Sequence, residues 1–242
     1  MKSSNPLLKE DKFNTISTSE TSMSLSGTIS KIALLFIMLL STSVFAYTQT
    51  VAGKMQNKTI IIFAIISFVL ILLTTFFPKI SPFTALIYAG CKGVVIGTIT
   101  ALYGAMYNGI VFQAILITIS IFTVMLILYA TKLIQATEKF KSIVLVATLG
   151  IAVVYLISFA LSFANIQIPY IHESGWIGIG FSLFVVIIAA LNLVMDFASI
   201  EMGVHYGAPK YMEWFTGLGL LVTLVWLYLE ILRLLSKIAS RD

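Results

Sequence analysis

Charge is scarce in this sequence: only 10% of its 242 residues are Asp, Glu, Lys or Arg. There is one cysteine, Cys91, so no internal disulfide can form and the redox compartment is left open. There are two histidines, His172 and His205, both placed by the hydropathy pattern in connecting segments, where a lone histidine is usually solvated. Zinc-ligand spacing, a phosphate-cradling glycine loop and a nucleophile elbow are all missing. These absences argue against an enzyme, a resident cofactor or a firm metal site. The net charge of +5 is spread along the chain without aromatic interleaving, which argues against a nucleic-acid partner.

What is present is apolar surface. Hydrophobic residues make up 59% of the chain, and the mean hydropathy is +1.03. A soluble domain cannot bury that much, so a lipid bilayer is the expected solvent. Seven runs are long enough to span it as helices: 31–50, 58–77, 83–106, 109–131, 141–165, 175–200 and 212–235. They are continuous rather than alternating, which excludes a β-barrel. The expected fold class is all-α, a polytopic bundle with short loops. Residues 1–28 read as a flexible polar cytoplasmic tail, 29–238 as the transmembrane domain and 239–242 as a short C-terminal tail. "SVFA" at 43–46 resembles a signal cleavage site, but the polar stretch before it is too long for a signal peptide, so a retained first helix is expected.

Basic residues set the orientation. With the N-terminus inside, Lys2, Lys9, Lys12, Lys31, Lys79, Lys132, Lys139, Lys141 and Lys210 lie inside, nine in all, against five outside: Lys54, Lys58, Arg233, Lys237 and Arg241. The fifteenth cation, Lys92, falls about 13 Å into the third run, at 1.5 Å per residue. An N-inside, C-outside topology is expected. In the third run Ala89, Gly93, Gly97, Ala101 and Ala105 recur every four residues, a small-residue face suited to close helix packing. Pro78 and Pro82 bracket the turn that leads into it.

Two polar stripes stand out. In the sixth run Ser182, Ala189, Asn192, Asp196 and Ser199 share one helical face, and in the seventh Thr216, Gly219, Thr223, Trp226, Glu230, Arg233 and Lys237 share another. A polar stripe in lipid must face protein or water, so both are expected to point into the bundle. Glu230 lies about 27 Å along from Met212 and is expected near the far interface, paired with Arg233 at i+3. Glu201 and Glu213 flank the last loop and read as solvated ends, Glu213 also complementing the helix dipole. A charge at Lys92 costs about 3 kcal/mol at mid-membrane, and Asp196 is the natural partner to offset it. That pairing needs helices three and six to be neighbours. Snorkelling of Lys92, and contact of Asp196 with water at its helix end, are the plainer alternatives.

The stretch "GIGFSLFVVIIAALNLVMDFASIEMGVHYGAPKYMEWFTGLGLLVTLVWLYLEILRLL" at 178–235, with "SSNPLL" at 3–8, resembles the bacterial YccA-like branch of the Bax inhibitor family. The resemblance implies six helices around a central seventh in a bacterial cytoplasmic membrane. It also implies a pH-sensitive calcium leak, sensed by one aspartate on helix six and another on helix seven. Asp196 matches the first; Thr223 stands at the second, so the repulsion between two carboxylates is missing. Calcium prefers several oxygen ligands, so Asp196, Asn192, Thr223 and backbone carbonyls imply at most a transient Ca2+ site. Some relatives engage a membrane-bound ATP-dependent protease through an N-terminal tail, which implies the alternative function of a non-transporting regulator. An intramembrane hydrolase ranks last, because the zinc-bearing relatives use histidines that here lie in loops. The sequence leaves the oligomeric state open; a monomer is compatible with it.

Overall fold

Backbone amides in hydrocarbon have no water to bond to, so each apolar run must close its hydrogen bonds within itself as a helix. The computed structural model describes residues 22–162 and 175–241, and among them seven long helices appear. They are α1 (Leu25–Val51), α2 (Asn57–Phe76), α3 (Ser81–Met106), α4 (Ile110–Ala130), α5 (Glu138–Ser162), α6 (Trp176–His205) and α7 (Met212–Ala239). All seven are long and apolar enough to cross a membrane. The expected all-α polytopic fold is therefore the observed one. A 3-10 turn, Pro78–Ile80, joins α2 to α3, with Pro82 in the first turn of α3 where its missing N–H costs nothing.

α7 is the axis of the bundle. It packs against α1, α3, α4 and α6, and every residue from Glu213 to Lys237 is buried or half-buried. The polar stripe of α7 faces inward, and so does its Leu-rich opposite side, because neighbours surround it. α2 and α5 are peripheral, packed chiefly on α3 and α6 respectively. α5 buries only Val144 and Ile151.

The small-residue face of α3 sets the distance to α1. A Cβ at Gly93 would overlap the Leu39 carbonyl oxygen and the Thr42 hydroxyl, and one at Gly97 would overlap the Ser43 carbonyl oxygen. Backbone thus meets backbone, as small residues in membrane helices permit. Ala89 and Ala101 are buried on this face, whereas Ala105 is exposed beyond it.

Three boundaries differ from those expected. α1 begins at Leu25 rather than Lys31, and the segment before it is docked. Met23 is buried, donates its N–H to the Ala208 carbonyl at 2.7 Å, and lies against Gly203; Ser22 bridges Pro209. A polar tail reaching to residue 28 is therefore too long by its last residues; residues 1–21 lie outside the described part, as do 163–165 of the fifth run. α6 runs on to His205, five residues past the end of its apolar run. It stops at Gly207 (φ 61), where the Ala208 N–H bonds to the Gly203 carbonyl and the Gly207 N–H to that of Val204, a Schellman ending. α7 likewise continues to Ala239.

Glu213 is not a solvated end. It is 1% exposed, and its Oε1 accepts hydrogen bonds from the Ser24 N–H and hydroxyl, both at 3.0 Å. Ser24 in turn accepts from the Gly27 N–H at 3.1 Å as the N-cap of α1. Sequence distance hid this contact, since the two residues are 189 positions apart. Glu213→Ala should uncap α1 and leave the Ser24 donors unpaired, costing about 1–3 kcal/mol, read as a lower midpoint of thermal unfolding in detergent. Glu213→Gln keeps an acceptor and should cost less; equal losses in both variants would show that the carboxylate charge, not the hydrogen bonding, matters here.

Candidate functional site

Asp196 sits nine residues before the end of α6, about 13 Å from it, so it lies deeper than the hydropathy boundary implies. Its carboxylate points at α7. Oδ1 lies 3.6 Å from where a Gly219 Cβ would be, and glycine at that position makes room for it. The Thr223 hydroxyl, one turn further along α7, is the polar side chain beside it. The same hydroxyl bonds to the Gly219 carbonyl at 3.2 Å. Oδ2 is buried and has no hydrogen-bond partner among the described residues. Glu213 Oε2 and Glu230 Oε2 share that condition, so what sets Asp196 apart is its place at the α6–α7 contact. The two expected stripes do meet, at Asp196, Gly219 and Thr223.

The other expected members do not gather there. Lys92 forms no ion pair with Asp196, whose carboxylate is turned to α7. The reason is architectural. α7 packs against both α3 and α6 and stands between them, so the two anomalies are not neighbours. Lys92 is half-buried on α3. Asn192 turns to α5, where its amide donates to the Thr148 hydroxyl at 2.8 Å, and also to the Ile188 carbonyl at 2.9 Å. Ser199 is exposed and back-bonds to the Met195 carbonyl. Glu201 is exposed at the end of α6 and accepts a hydrogen bond from the Tyr129 hydroxyl of α4. His205 is the last residue of α6, not a loop residue, and stacks edge-on with Tyr206; His172 lies outside the described residues.

A second buried polar cluster lies toward the other end of α7. Glu230 is 2% exposed, rather than interfacial, and it pairs with Arg233 at 2.9 Å. The Tyr155 hydroxyl of α5 donates to Glu230 Oε1 at 2.8 Å and accepts from Arg233 at 2.7 Å, while the guanidinium lies 5.0 Å from the Tyr155 ring centre. One turn on, the Lys237 ammonium donates to the Ser182 hydroxyl at 2.9 Å and the Gly178 carbonyl at 3.0 Å. The i+3 pair was legible in the sequence; its α5 partner was missed. The available signal was the spacing Val144, Thr148, Ile151, Tyr155, which puts two hydrogen-bonding side chains on the buried face of α5.

Among the described residues no three His, Cys, Asp or Glu side chains cluster as a metal site. The fold and this geometry define a seven-helix membrane protein with an ionisable group buried beside a central helix. The chain belongs to the Bax inhibitor family: the family model described as "Bax inhibitor 1 like" matches residues 5–240. A comparison with curated proteins found no match.

Proposed function

We propose that the protein is a pH-modulated cation leak pathway with calcium as its cargo, in a bacterial cytoplasmic membrane with the N-terminus inside. The observation that carries this reading is the Asp196 carboxylate, buried at the α6–α7 contact with one oxygen unpartnered. An ionisable residue inside a membrane bundle, facing protein rather than lipid, is a functional group by default. Its surroundings suit passage better than retention: one carboxylate and the Thr223 hydroxyl fall short of the six to eight oxygens that hold calcium firmly. Lys92, separated from Asp196 by α7, does not oppose a cation there. The nine-to-five distribution of basic residues supports the orientation.

The test is calcium flux into proteoliposomes of purified protein between pH 5 and 8, wild type beside Asp196→Asn. A protein-dependent flux whose pH response disappears in the variant is the expected result. Flux no greater than in empty liposomes at every pH would overturn the leak reading. It would favour the non-enzymatic alternative, a regulator of a membrane-bound ATP-dependent protease acting through residues 1–21.

A further inference from the structure

The bundle is open between the start of α1 and the end of α4. α1 packs on α3 and α7, and α4 on α6 and α7, but α1 and α4 do not pack on each other. A cavity of about 1180 Å³ lies between them. Its walls are apolar: Ile29 and Ile32 from α1, Phe122 and Leu126 from α4, with Phe197 and Leu220 at its floor. Ile29 and Leu126 are 57% and 41% exposed, so the cleft opens sideways, toward the surrounding hydrocarbon. An apolar space of this size next to lipid is a poor place for water and a good one for hydrocarbon.

The mouth is basic. Lys132 occupies the position just past the end of α4 in the left-handed conformation (φ 58), where glycine is usual, and among the described residues its ammonium has no partner. Lys141, also lining the cavity, is bonded at 2.9 Å to Glu138, whose carboxylate is 89% exposed. Such exposed pairs contribute little and exchange readily. Glu201 is the one acidic residue of the lining among the described residues and is held by the Tyr129 hydroxyl. Among the described residues two lysines thus stand against Glu201 in the lining and the exposed Glu138 at its edge, and Lys132 is the cation that neither carboxylate holds.

We propose that this cleft binds one anionic diacyl phospholipid, with its acyl chains between α1 and α4 and its phosphate at Lys132 and Lys141. Basic side chains at the head-group level favour anionic over zwitterionic lipid, and the apolar walls supply what a bare phosphate cannot use. The floor residues Phe197 and Leu220 come from α6 and α7, the two helices that carry Asp196 and Gly219. The proposal rests on the cavity and its charges, not on ion conduction.

The experiment is native mass spectrometry and thermal unfolding of the full chain in detergent, with phosphatidylglycerol or phosphatidylcholine of identical chains. A single phosphatidylglycerol adduct and a raised unfolding midpoint are expected, with neither from phosphatidylcholine. Lys132→Gln with Lys141→Gln should weaken the adduct roughly tenfold, and Leu126→Trp, at an exposed site that tolerates bulk, should abolish it by filling the cleft. Equal binding of the two lipids would mean ordinary annular lipid and would overturn the proposal. So would an equal effect of sn-glycerol 1-phosphate, an adduct that survives both variants, or binding that appears only after residues 1–21 are deleted, which would make that segment the occupant. None of these readouts depends on flux, so a failure of the leak reading leaves them interpretable.

Discussion

Replacing Arg233 by Met is expected to lower stability by about 3 kcal/mol, because it strands the buried Glu230 carboxylate. This is the lower end of what breaking a buried pair costs, since the Arg233 side chain is itself 38% exposed. Glu230 is 2% exposed, and Arg233 is its ion-pair partner at 2.9 Å. Tyr155 remains as a single neutral donor to Oε1, and Oε2 has no partner even in the intact protein. Lys237 is bonded to Ser182 and Gly178 one turn away, so its charge offsets Glu230 only from a distance. The charge, not the lost contact, is then the source of the penalty. Glu230→Gln combined with Arg233→Met removes both charges while keeping an acceptor for Tyr155. This double variant should recover most of the loss, because a buried pair is worth little more than a neutral replacement. The midpoint of thermal unfolding of the purified protein in detergent would decide. A single variant as stable as wild type would show that water reaches Glu230; a double variant no better than the single would show that packing around Tyr155 dominates.

The second large effect is expected at Gly97. A leucine there would drive its Cβ into the Ser43 carbonyl oxygen of α1. The obstacle is backbone, so no side-chain rotation relieves it, and α1 must move away from α3 along its length. Overpacking of this kind costs about 1–3 kcal/mol, and the rigid contact places Gly97→Leu at the top of that range. Ala105 lies on the same four-residue register but is exposed, so Ala105→Leu should change stability by no more than about 0.5 kcal/mol. The contrast separates a packing face from a general preference for small residues. Similar unfolding midpoints for the two variants would mean that α1 and α3 can part without loss.

The sequence by itself determined the seven spans, the proline-bracketed turn, the inward polar stripe of α7, the inward part of that of α6 up to Asp196 and the Glu230–Arg233 pair. Each of these is local. A helix in lipid satisfies its own backbone, and residues three or four apart share a face whatever the neighbours are. The positions of Asp196, Gly219 and Thr223 on facing stripes belong to this legible part, as does the small-residue face around Gly93 and Gly97. Helix ends were less legible. Hydropathy falls before hydrogen bonding stops, which is why α6 continues to His205 and α1 starts at Leu25.

Only the tertiary structure decided who meets whom. With α7 at the axis, α3 and α6 stand on different sides of it, and Lys92 cannot reach Asp196. Asn192 shares a face with Asp196, yet a modest difference in angle around α6 sends its amide to Thr148 on α5 instead. Glu213 found Ser24 across 189 positions, and the cleft between α1 and α4 exists because each packs on the axis rather than on the other. Periodicity fixes which way a side chain faces along its own helix. The order of helices around the axis is set by shape complementarity between them, such as the fit of Gly93 and Gly97 against Leu39 and Ser43, and a single helix does not contain that information.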